Sequence, residues 1–119
     1  MRIAFAHDAL LEFEPGAELA APGGAVTLEL CGSVDHPPPC PLAPHHTRSV
    51  PRGDGVAVHV LFAAEPAAEA EVRARIDRAL AAGACTAPDG TRSRWALRRS
   101  GAGAVSAAER EHAARLVAD

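Results

Sequence analysis

The chain has 119 residues, with fifteen acidic against twelve basic side chains and a formal net charge of −3. That is enough for one domain, residues 1–119, with a core of its own, and too little for two. The balance gives no overall field for nucleic acid, which needs clustered cations on phosphates. No stretch reads as a membrane span or a signal peptide, so neither nucleic acid nor a membrane is expected as a partner. All twelve basic residues are Arg, and Lys, Asn, Gln and Tyr do not occur, a bias expected of a GC-rich bacterial genome. The expected compartment is the cytoplasm, where three cysteines read as thiols or metal ligands before disulfides.

From the start of the chain, alternation over residues 2–7 predicts a strand with Ile3 and Phe5 on one side. Leu10 to Glu14 predicts a second short strand after a turn at His7 to Ala9. Pro22-Gly23-Gly24 reads as a connecting loop. Val26 to Ser33 reads as a third strand, with Val26, Leu28 and Leu30 on one face and Thr27, Glu29 and Cys31 on the other.

The stretch CGSVDHPPPCPLAPHH, Cys31 to His46, then holds two of the three cysteines and three of the six histidines. Thiolate sulfur and neutral imidazole are the ligands a borderline-soft cation prefers. Cys31, His36, Cys40 and then His45 or His46 follow one another with gaps of four, three, and four or five residues. Zinc is the first expectation and copper the alternative. The alternation of Cys and His inside one loop matches no zinc-finger pattern. Prolines 37, 38, 39, 41 and 44 stiffen the loop and reduce the entropy lost when ligands converge, and Asp35 is placed to orient His36 from the outer shell. Competing readings are a surface loop with incidental histidines, a Cys31–Cys40 disulfide with or without a redox role, and a thiol nucleophile beside a histidine.

Residues 31–55 are expected as one loop between strands, with Arg48 to Gly55 a polar turn. Val56 to Phe62 predicts a strand with Val56, Val58, Val60 and Phe62 inward. If it lies beside the third strand, His59 approaches Glu29 and Cys31 as a further ligand or general base. Pro66 opens a helix that Gly83 ends, with Val72, Ile76 and Leu80 as its buried stripe. In TRSRWALRR, Trp95 and Leu97 share the buried face of a strand and Arg92, Arg94 and Ala96 the solvated one. Ser106 and Glu109 form a capping box at the start of a last helix running to about Val117. Cys85 reads as a small, half-buried residue.

The order β-β-β-loop-β-α-β-α predicts an α+β domain, a mainly antiparallel sheet of about five strands with two helices packed on one face. The functional expectation is a small metal-binding protein, an accessory or interaction module if four ligands close the site. An open coordination position instead allows metal-assisted hydrolysis or deamination, with Glu29, Asp35 or His59 as acid/base candidates. The alternative is a metal-free domain that binds a small molecule or protein partner through the proline loop. Substrate and oligomeric state are not written in these motifs.

Overall fold

The computed structural model describes residues 1–32 and 43–119. It is an α+β fold built on β1 (Ile3–Phe13), α1 (Ala21–Cys31), β2 (His45–Arg52), β3 (Gly55–Ala64), α2 (Glu69–Ala82), β4 (Ala84–Thr86), β5 (Arg92–Gly103) and α3 (Arg110–Ala118). The strands form one sheet in the order β2-β3-β1-β5-β4, every neighbouring pair antiparallel. β3 and β5 therefore run parallel on either side of β1, and the connection through α2 makes a split βαβ unit.

The β3 reading holds. Val56, Val58, Val60 and Phe62 are buried on the face that receives α1 and α2. Phe5, Ala9 and Leu11 of β1 come from the same side, opposite Phe62, Val58 and Val56 in the ladder. Val72, Ile76 and Leu80 of α2 close this core. Trp95 is buried as expected, and its indole N–H donates to the Leu80 carbonyl at 2.8 Å, joining β5 to the last turn of α2. Gly83 ends that helix in the left-handed region at φ 72°.

Four expectations are overturned. Val26 to Ser33 is not a strand: residues 21–31 are α1. Alternation and helical spacing overlap over so short a run, and the residue that separates them is Leu28. It should be buried in a strand with Val26 and Leu30, yet it is 42% exposed while they are buried. Pro22 sits in the first turn, where a missing N–H costs nothing. The two glycines that read as loop lie instead inside this helix, on sides that face neighbouring strands, where an added Cβ would make ordinary contacts. A Cβ at Gly23 would lie 3.4 Å from Thr47 on β2, and one at Gly24 would lie 3.4 Å from the Cys85 sulfur on β4.

The second correction is at residues 7–9, which continue β1 without a turn, so the two expected strands are one. Third, residues 31–55 are not a single loop. His45–Arg52 forms β2, paired with β3 through a two-residue hairpin in which Gly53 takes φ 60°. Residues 33–42, including Asp35, His36 and Cys40, lie outside the described residues. Fourth, the described residues form three α-helices where two helices were expected. α1 and α2 lie on one sheet face, and α3 lies on the other, against β3 and β1. There Ala113 is buried with Leu61, Ala63 and Ala6 from the second face. The α3 start is as read: the Ser106 N–H donates to Glu109 Oε1 at 2.8 Å. No helix among the described residues is long and apolar enough to cross a membrane.

Candidate functional site

Two expected ligands meet. The end of α1 delivers Cys31 and the first residue of β2 delivers His45, bringing Sγ to 4.0 Å from Nδ1. The His45 ring is held from both sides. Nδ1 is 3.0 Å from the Ala43 carbonyl, which can only accept, so the proton is on Nδ1. Nε2 then accepts from the Thr27 hydroxyl at 3.0 Å. Thr27 lies one helical turn before Cys31, so α1 supplies both the sulfur and the group that steadies the imidazole. Cys31 is disulfide-bonded, which favours the disulfide reading on the Cys31 side; its expected partner, Cys40, lies outside the described residues.

The next histidine diverges. Strand alternation sends His46 to the opposite sheet face, where its ring packs on His112 of α3 with centroids 4.6 Å apart. Burial, with help from neighbouring His112 and Arg48, holds the His46 pKa below the usual imidazole value. The pairing of His59 with Cys31 is also corrected. His59 leaves β3 on the α3 face, the far side of the sheet from α1, because the stretch expected to flank it is a helix. Glu29 gives its carboxylate to Arg78 of α2 at 2.9 Å. Among the described residues no group of three or more His, Cys, Asp or Glu side chains is arranged to hold a metal.

His59 has its own setting. Nδ1 is 2.5 Å from Asp8 Oδ1, the residue opposite it on β1, and Nε2 is 3.0 Å from Glu109 Oε1 at the start of α3. Burial pulls the His59 pKa down, but the hydrogen bonds to Asp8 and Glu109 outweigh it and hold the pKa above 6.5. For Glu109, burial pushes upward, while the Ser106 N–H and His59 outweigh it and hold the carboxyl below its ordinary value. The imidazolium thus clamps α3 to the sheet.

The linkage has two signs. A raised imidazole pKa contributes stability that is complete below about pH 6.5 and is lost as pH rises through the raised value. A depressed carboxyl pKa contributes stability present above the ordinary glutamate range and lost as pH falls through the depressed value. Wild-type stability is therefore expected to fall as pH rises from about 6.5 through the raised His59 value. In urea unfolding across pH 6–9, Glu109→Gln should flatten that fall; an unchanged slope contradicts the clamp.

A second polar cluster gave no motif in the sequence because its members are far apart in it. His7, 2% exposed, meets Asp77 at 2.9 Å and Ser100 at 2.8 Å through Nε2, and Ser100 also donates to Asp77. Ser, His and Asp together suggest nucleophilic catalysis, but the geometry denies it. Arg73 donates to His7 Nδ1 at 3.0 Å, so Nδ1 holds the lone pair and the nitrogen facing Ser100 carries the proton. A general base needs the reverse. The cluster ties α2 to β1 and β5.

Two concavities accompany these groups. An apolar groove of about 310 Å³ lies between α1 and β4, with Leu28 and Cys85 in its walls. Burial pushes the Cys85 thiol up despite nearby Arg92, away from a reactive thiolate. The larger, about 1040 Å³, is an open cleft on the α3 face of the sheet, lined by Asp8, Leu10, Arg48, Val50, His59 and Arg99 among others. No family model matches this sequence, and neither a curated protein nor a solved structure is significantly similar to it.

Proposed function

We propose that the protein is a small metal-binding module, zinc before copper, whose cation sits between Cys31 and His45. The carrying observation is the approach of Sγ and Nδ1 to 4.0 Å across fourteen residues of chain. Zn–S and Zn–N bonds of about 2.3 and 2.0 Å at a tetrahedral angle set sulfur and nitrogen about 3.5 Å apart, so a small closure suffices. Loading Nδ1 requires the other tautomer, with Nε2–H donated to Thr27. A hydroxyl accepts as readily as it donates, so Thr27 fits as the outer-shell partner.

For the remaining ligands the sequence between the two offers His36 and Cys40. Four ligands make the metal structural and the protein an accessory or interaction module. Three leave a position for water and metal-assisted hydrolysis or deamination. Only the thiolate binds, so the cation-holding form is the one with Cys31 reduced, which suits a reducing compartment such as the cytoplasm.

Protein purified with a thiol reductant and no added metal should contain about one equivalent of zinc or copper. A chelator should lower its thermal midpoint, because metal-binding free energy is folding free energy where the apo site is loose. Metal content near zero under reducing conditions, with a midpoint indifferent to chelator, contradicts the reading.

A further inference from the structure

We infer that the open cleft on the second sheet face binds an organic anion with an apolar body, a carboxylate or phosphate monoester, independently of the Cys31–His45 corner. The register assembles the site. Val50, Ala57 and Leu10 stand side by side across β2, β3 and β1, and the next residue in that row, on β5, is Arg99. Arg48 and Arg52 flank Val50 two residues away on either side, so alternation brings both to the same face. The result is an apolar floor between guanidinium groups at its two ends. Three strand spacings separate β2 from β5, about 14 Å.

Charge complementarity selects the ligand. Among the described residues none of Arg48, Arg52 and Arg99 has a salt-bridge partner, whereas Arg73, Arg75, Arg78 and Arg98 each have one. Asp8, the one carboxylate among the described residues of the cleft wall, is engaged by His59, and Glu109, whose charge reaches Arg48, is already held by His59 and the Ser106 N–H. The field over the cleft is therefore cationic although the chain is net acidic. Val50 is 46% exposed on a floor whose other members are Ala and Leu, so a purely inorganic anion leaves that surface wet. An alkyl or aryl anion covers it while its head group takes two hydrogen bonds from a guanidinium fork. α3 covers only the neighbouring part of the face, where His59 and His46 lie, and leaves this row open.

The probes are octanoate and octyl phosphate, with 1-octanol and acetate as the neutral and headgroup-only controls, titrated into the full chain and followed by backbone amide shifts. Both octyl anions should bind saturably, with the largest shifts at Leu10, Val50, Ala57 and Arg99, and both controls at least tenfold more weakly. Arg99→Gln and Arg48→Gln should each weaken octanoate about tenfold while leaving the rest of the amide spectrum in place. Equal binding of 1-octanol, shifts centred on the α1–β4 groove, indifference to both substitutions, or no saturable binding would each overturn the inference. Val50→Asp, which adds a negative charge on an exposed strand position, should abolish octanoate binding; retained affinity also counts against the site.

Discussion

Phe62→Ala is expected to lower the unfolding free energy by about 3–5 kcal/mol, on the order of a third of what a domain of this size possesses. Phe62 has no exposed surface. Its ring stacks on Phe5 with centroids 5.5 Å apart and lies under the Arg73 guanidinium, whose carbon is 5.3 Å from the ring centroid. Truncation therefore opens a cavity where β1, β3 and α2 meet and removes one of the two rings beneath that cation. The aromatic inventory is small, one Trp and three Phe, and the neighbouring residues are mostly Ala and Val, which cannot extend to refill the space. Phe62→Leu, which keeps most of the volume, should cost about 1–2 kcal/mol. Urea denaturation of both variants checks this, and a loss under about 1.5 kcal/mol for the alanine variant contradicts the packing described.

His7→Leu should cost about 2–3 kcal/mol although it places an apolar side chain of suitable size in a buried position. The cost comes from what is left behind. Arg73 Nη1 keeps the Ala6 carbonyl at 2.7 Å and Nε keeps Glu69 at 2.8 Å, but the bond to the imidazole is lost. Asp77, which is about half exposed, loses the Nε2–H and is left with Ser100 and solvent, so most of the cost falls on the Arg73 side. A leucine hydrophobic enough to compensate would give a variant within about 0.5 kcal/mol of wild type. That result would mean the network fixes geometry without adding stability, a recognised outcome for buried polar groups.

The parts legible in the sequence were those with one consistent period. Val56 to Phe62 alternates strictly because one face of β3 is core, and α2 repeats Val72, Ile76 and Leu80 every four residues between a proline and a glycine. The Ser106 and Glu109 box was readable because capping is local chemistry. What misled was the stretch from Ala21 to Cys31. Val26, Leu28 and Leu30 satisfy a strand pattern, and the Pro and two Gly before them look like a loop until the helix is seen pressed against Thr47 and Cys85. Taking α1 for a strand then put His59 on the wrong side of the sheet. Strand alternation in β2, once that strand is known, separates His45 from His46. The sequence alone could not, because residues 45–52, with an interior proline and four charged or imidazole side chains, read as part of the loop over 31–55, its end from Arg48 to Gly55 as a polar turn.

The candidate ligands divide in the same way. Cys31 and His45 come together because a helix end and a strand start meet at one corner, which no spacing rule predicts. His59 and Asp8 are joined only by the β1–β3 register. The cleft arginines are also a product of register, since Arg48, Arg52 and Arg99 come from two strands that are far apart in the chain and not adjacent in the sheet.

The most direct measurement titrates cobalt(II) into reduced, metal-free protein while the absorption spectrum is recorded. A tetrahedral site with thiolate and imidazole ligands gives a sulfur-to-cobalt charge-transfer band in the near ultraviolet and intense visible d–d bands. Wild type should show both. Cys31→Ser should lose the charge-transfer intensity assigned to that sulfur, His45→Ala should shift and weaken the visible bands, and His46→Ala should leave the spectrum as it was. A wild-type spectrum no different from aqueous cobalt, or one equally altered by His46→Ala and His45→Ala, would contradict a cation held between Cys31 and His45.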